Sequence, residues 1–154
     1  MPSDLWTFAV HLYGLPGVEP ACLRLQDQGA DVCLLLTGCW LGRRGVAFDS
    51  TRLDSLRAVC DPWQEQVVGP LRALRQNWRV QAQGDQALAG LREQIKALEL
   101  EAERKLLARL EGAADGWPGG AGAQVEAWLQ GCCPGLEETG RDALDLVRDA
   151  ALAL

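Results

Sequence analysis

Arg92, Lys96, Glu99 and Glu103 recur every three or four residues along one edge of an apolar helical stripe. That stripe consists of Leu88, Leu91, Ile95, Leu98, Ala102, Leu106 and Leu110. At 100° per residue Leu100 and Leu107 lie beyond the same edge, so the charged groups run between two apolar rows. On the preceding helix Arg75 borders Leu71 in the same way, with Arg72 and Arg79 further round. Ionisable groups flanked by apolar side chains are partly buried, and burial demands pairing because an isolated buried charge is costly. Two chemistries follow. In one, Arg75 and Lys96 hold an anionic ligand, and Glu99 and Glu103 orient them or act as acid and base. In the other the strip is an ion-pair ladder that sets helix packing, with Lys96 bonded to Glu99 and Glu103 on its own helix. The ladder is the preferred reading.

Six tryptophans form the second feature, of which Trp6, Trp40, Trp63 and Trp78 fall on or next to apolar faces. Tryptophan marks cores, interfaces and ligand pockets alike, so these four define a candidate aromatic pocket or interface, with core as the default. Cys22, Cys33, Cys39 and Cys60 are too irregularly spaced for zinc knuckles and are read as reduced thiols. Cys132-Cys133-Pro134 precedes a helix, and Cys133 at its N-cap would be a reactive thiolate; no base accompanies it, and a redox role is the lesser reading. His11 is the one histidine, so a Ser-His-Asp set would have to rest on it alone, and no second histidine or acidic cluster accompanies it as a metal ligand. Asp49 and Asp54 are isolated and do not form an aspartate-rich magnesium motif. No catalytic residue, metal or cofactor is assigned.

The elements that carry these residues are helical throughout, with no alternating strand pattern. Ser3 is read as the cap of a helix over 4–13. After "GLPGVEP" a second helix runs from Val18 to Gln28, stopped by Gly29. "DVCLLLTGCWLGRRG" has Asp31 as N-cap and Arg43, Arg44 and Gly45 as C-terminus; it is apolar all round, so it is the central helix. A short fourth helix starts at Asp49 or Ser50 and ends near Cys60. Asp61 and Pro62 begin a fifth, to about Gln81, kinked at Gly69-Pro70 because Pro70 lacks a donor. The longest helix runs from Asp85 to about Glu111, and its 3, 4, 3, 4, 4, 4 spacing follows a straight helix rather than a supercoil. Gly- and Ala-rich residues 112–123 are read as a flexible linker, and 124–154 as a loosely attached acidic helical tail.

The net charge of −6 lies entirely in residues 111–154, which carry 8 acidic and 2 basic side chains. A neutral body with an acidic tail excludes nucleic acid as a partner, whose binding draws on clustered cations. Val32–Gly42 is about half of the ~20 residues needed to cross a bilayer, so its G-x-x-x-G at Gly38 and Gly42 serves close helix approach instead of membrane association. No basic flank precedes an apolar run near the N-terminus, so no signal peptide is expected.

"LWTFAVHLYGLPGVEPACLRLQDQGADVCLLLTGCWLGRRG", "PWQEQVVGPLRALRQNW" and "LREQIKALELEAERKLL" together resemble an uncharacterised proteobacterial family of small all-helical proteins, over residues 4–110. Cys33 stands where that resemblance leads to Asn. The resemblance implies a soluble bacterial protein with no assigned activity and supplies no catalytic residues; the reduced thiols point to a cytoplasmic setting. The expectation is an all-α bundle of about six helices with a C-terminal helical tail. It acts by helix–helix contacts with itself or a partner protein, and binding of a small anionic ligand at the strip is the alternative.

Overall fold

A computed structural model describes residues 4–120 and 122–154. Among them every regular element is a helix: α1 Leu5–Tyr13, α2 Val18–Asp27, α3 Val32–Arg43, α4 Ser50–Trp63, α5 Gly69–Asn77, α6 Gln86–Ala113, α7 Val125–Cys132 and α8 Glu138–Ala153. Aspartates start four of them. Asp4, Asp31, Asp49 and Asp85 each accept a backbone N–H from the first turn, which satisfies donors that the helix itself cannot. Asp4 therefore caps α1; the expected cap, Ser3, lies outside the described residues.

The break expected at Asp61-Pro62 does not occur. Pro62 lies inside α4, and the chain stays helical through a π-turn at Gln64–Val68 into α5. Pro70 has no N–H for the carbonyl of residue 66, and the backbone adapts by widening instead of breaking. Gly69 N–H bonds the carbonyl of Gln64, five residues back. Gly69 is needed there, since a Cβ would lie 2.7 Å from that same oxygen.

α3 is the centre of the molecule. Every residue from Cys33 to Gly42 is buried. The neighbour that Gly38 and Gly42 admit is α7: a Cβ on Gly42 would sit 2.5 Å from the Cα of Val125, and one on Gly38 would press on Trp128 and Cys132. The segment 124–154 is thus no loose appendage, because Val125, Trp128, Leu129, Ala143, Val147 and Ala151 belong to the same core as α1–α4. The Gly-rich connection is tied down as well, with Gly120 N–H on Arg44 O (3.3 Å) and Gln124 N–H on Gly42 O (2.9 Å). Trp117 stacks on Trp128 at 6.3 Å.

The stripe of α6 is not buried along its whole length. Its C-terminal half enters the core through Ala102, Leu106, Leu107 and Leu110, whereas Leu91 and Leu98 are exposed. The N-terminal half pairs with α5 as an antiparallel hairpin that projects from the body, and no residue of α5 is fully buried.

Candidate functional site

The π-turn leads into α5, which sets Arg72 and Arg75 against the middle of α6. Both arginines converge on Glu99, with Arg75 Nε at 2.5 Å and Arg72 Nε at 3.1 Å from its two oxygens. Glu99 is 6 % exposed, the one buried ionised side chain among the described residues. Burial, the largest influence, pushes its carboxyl up, but the hydrogen bonds and charges of Arg75 and Arg72 together outweigh burial and hold it below the usual range. Arg75 is held above its ordinary value by the hydrogen bond to Glu99. Arg92 donates through Nε to the carbonyl of Arg75 (2.8 Å), which ties the two helices of the hairpin.

Two members of the expected ladder stand elsewhere. Lys96 does not reach Glu99 or Glu103; it bonds Glu93 at 3.3 Å on the exposed side of α6. The cause is competition: two guanidinium groups from α5 already fill the Glu99 carboxylate, with the geometry an ammonium cannot match. Glu103, one turn on, is half-buried and accepts no hydrogen bond among the described residues. Burial first, and the neighbouring Glu99 charge second, push its carboxyl up to about 7.

Around this pair the surface is concave in two places. A cavity of about 470 Å³ is lined by Asp31, Arg57, Asp61, Gln64, Arg72 and Glu103, among others. A groove of about 580 Å³ between α1–α2 and the hairpin is walled by Trp6, Val10, Tyr13, Leu23, Leu36 and Leu100, with Arg72, Arg75, Lys96, Glu99 and Glu103 at its charged side. Arg72 and Glu103 face both. Asp31 does double duty there. Its Oδ1 caps α3 and accepts Gln64 Nε2 at 3.0 Å, while Oδ2 is buried with no hydrogen-bond partner among the described residues. Burial pushes the Asp31 carboxyl above its ordinary value.

The four expected aromatics do not form one pocket. Trp6 lines the groove under Arg104 (4.9 Å), and Trp40 is buried in α3 beneath Arg44 (4.3 Å). Trp63 donates its indole N–H to Ala102 O at 2.9 Å and lies under Arg109 (4.0 Å); Trp78 sits half-buried at the end of α5. The aromatic centre lies instead on Trp128, fully buried, with its N–H on Val46 O (2.8 Å) and Phe48 edge-on at 5.2 Å. Its apolar neighbours Val125 and Leu129 at i−3 and i+1 carry the only local signal of that role.

The cysteines are six free, buried thiols. Cys133 terminates α7 and does not cap α8, whose N-cap is Glu137. Burial pushes its thiol up to about 11, the opposite of a reactive cysteine. His11 is exposed on α1. Among the described residues no group of three or more His, Cys, Asp or Glu side chains is placed to hold a metal. Among the described residues no helix is long and apolar enough to cross a membrane. Arg72, Asp31 and Gln64 are the site residues that sequence reasoning left out of the strip: Asp31 reads as a cap alone, and Gln64 reaches the site only through the π-turn.

Residues 4–110 match the family described as "Protein of unknown function (DUF2390)", and the chain belongs to it. The match covers α1 to nearly the end of α6. No curated protein and no solved structure matches the chain.

Proposed function

We propose that this protein is a non-catalytic helical binding module that pairs with a second copy of itself through the α5–α6 hairpin. One observation carries the reading: α5 has an apolar side, yet none of its residues is fully buried by its own chain. Helical spacing puts Val67, Pro70, Leu74 and Asn77 of the π-turn and α5 beside Ala87, Leu91, Gln94 and Leu98 of α6, all partly or fully exposed. That side contains no charged residue, whereas Arg72, Arg75, Arg92 and Lys96 all lie on the other. An uncharged two-helix face stacks on its two-fold copy without like-charge repulsion and completes a four-helix layer.

The face is small. About 15 residues at 1.5 Å each and two helices abreast make roughly 20 by 20 Å, or about 400 Å² per chain. Stable interfaces bury about 800 Å² per partner, so the association is weak and reversible. A cytoplasmic setting belongs to the same reading, supported by six unpaired thiols.

Sedimentation velocity across a concentration series tests it. The wild type shifts towards dimer as concentration rises, and the Leu91→Glu/Leu98→Glu variant stays monomeric with its helical content intact. Because the native cysteines are buried, a Gln94→Cys variant reports contact directly by forming a disulfide dimer. A wild type that sediments as a monomer up to its solubility limit, with no Gln94→Cys dimer, removes the reading.

A further inference from the structure

The groove on the other side of the hairpin is separate from the dimer face and has a different chemistry. Its walls come from three helices of the body and from α6: Trp6 and Val10 of α1, Leu23 of α2, Leu36 of α3, and Leu100 and Leu107 of α6. Val10, Leu23 and Leu100 are exposed there at 53 %, 47 % and 58 %, large apolar side chains facing one open space. A volume of about 580 Å³ lies within the range that takes a small organic molecule.

The charged side of the groove is not neutral. Two arginines share the single carboxylate of Glu99. Arg72 contributes only its Nε to that carboxylate, so its two terminal nitrogens are uncommitted among the described residues. Arg72 and Arg75 remain about a quarter exposed and within reach of a ligand. Lys96 and Glu19, which also line the groove, offset each other, so the surplus at the Glu99 carboxylate is one positive charge. With planar donors and an adjoining apolar wall it describes a receptor for an anion with a hydrocarbon tail. We propose that the groove between α1–α2 and the α5–α6 hairpin binds a small amphipathic monocarboxylate, with its carboxylate on Arg72 and Arg75 and its tail along Val10, Leu23 and Leu100.

The neighbouring acids restrict the headgroup to a single charge. Glu99 faces the arginines with Glu19 on the opposite wall, and a dianion such as a phosphate ester meets repulsion that one surplus cation does not offset. Glu103 is surrounded by Arg72 and Arg75 on α5, Glu99 on its own helix, Asp31 and Cys33 at the start of α3, and Tyr13 on α1. With its carboxyl pushed up to about 7, Glu103 is protonated in a large fraction of molecules at neutral pH and donates to a bound carboxylate instead of repelling it.

Decanoate and decanol, below their aggregation limits, are the probes, titrated calorimetrically into the full chain in the monomeric Leu91→Glu/Leu98→Glu background. That background separates this result from the self-association proposed above. Decanoate binds one per chain and decanol at least about tenfold more weakly, the loss expected for one or two charge-assisted hydrogen bonds. Arg72→Gln weakens decanoate about tenfold and leaves decanol unchanged, with Arg75 still holding Glu99. Val10→Trp, a change at an exposed position, fills the groove and weakens both probes. No saturable decanoate binding overturns the proposal, as does equal affinity for the two probes, or a decanoate affinity that neither Arg72→Gln nor Val10→Trp moves.

Discussion

α3 and α5 lie at opposite ends of a scale of burial. α3 has apolar residues on every side, and every side is covered: α7 lies in the groove at Gly38 and Gly42, and α1, α4, α6 and α8 also pack against it. α5 has an apolar side of similar residue types, and its main neighbours among the described residues are α6 and the preceding π-turn. The residues themselves do not account for the difference, since leucine buries about as much area in either place. What differs is supply. α7 lies against α3 and α8 against α2 and α3, whereas Leu91 and Leu98 of the hairpin stay exposed. The exposed side of the hairpin is the surface on which the proposed self-association rests.

The largest effect comes from removing that cover. A chain ended at Gly112 bares the Gly38–Gly42 face and deletes Trp128, Leu129 and Val147 from the core. The expected result is loss of the cooperative thermal transition, since the lost burial exceeds a typical total stability of about 5–15 kcal/mol. Cooperative melting in that truncated chain would show that α3 needs no tail.

Closing the α3–α7 contact from inside is milder. Gly42→Ala places a methyl 2.5 Å from Val125 Cα, and backbone cannot rotate away as a side chain can. Destabilisation of about 2–3 kcal/mol by chemical denaturation is expected. Gly90→Ala, in open space on the hairpin, should instead stabilise by up to about 1 kcal/mol.

Glu99 and Glu103 sit where α6 passes from the body to the hairpin, and their substitutions should act with opposite sign. Glu99→Gln removes the charge that two arginines share and lowers stability at pH 8 by about 2–3 kcal/mol, below the full cost for a deeply buried pair because the arginines are partly exposed. Its carboxyl is held low in the fold, so its contribution is present above its unfolded value and is lost as pH falls through the folded one. Glu103 is the reverse. Its folded value of about 7 exceeds the ordinary 4.5, so the stability it adds is complete below the unfolded value and is lost as pH rises to about 7. Glu103→Gln is therefore more stable than wild type at pH 8 by about 1–3 kcal/mol, and the gap closes near pH 4. Melts of both variants at pH 4 and pH 8 check the crossing.

The smallest effect belongs to the hairpin. Leu91→Glu and Leu98→Glu change folding stability by about 0.5 kcal/mol or less each, measured at dimer-free dilution, because both positions are already in water. A larger loss at that dilution would mean that the hairpin is covered within one chain.

Much of the fold is legible one turn at a time. Asp31, Asp49 and Asp85 announce helix starts because a cap is satisfied by backbone donors two or three residues away. The uninterrupted apolar run from Val32 identifies the central helix because no orientation leaves it a wet face. The arrest by Gly29 and Gly45 rests on their left-handed backbone, at φ +94° and +74°. The candidate site is legible only in part: Arg75, Glu99 and Glu103 follow from their spacing, but the partner of each does not.

Those partners were decided by distance in space. Pro70 predicts trouble in a helix, yet whether the chain breaks or widens into a π-turn depends on the packing of both α4 and α5 against α6. Lys96 has two acidic side chains at helical spacing, Glu93 and Glu99, and its choice of Glu93 follows from Arg72 and Arg75 arriving at Glu99 from another helix. Trp128 became the largest fully buried side chain because two glycines, some 90 residues earlier in the chain, leave room for α7 to approach. Capping and periodicity are local energies, summed over a few residues and readable in order. Burial is a property of what lies on the other side of a surface, and only the assembled fold brings that side into place.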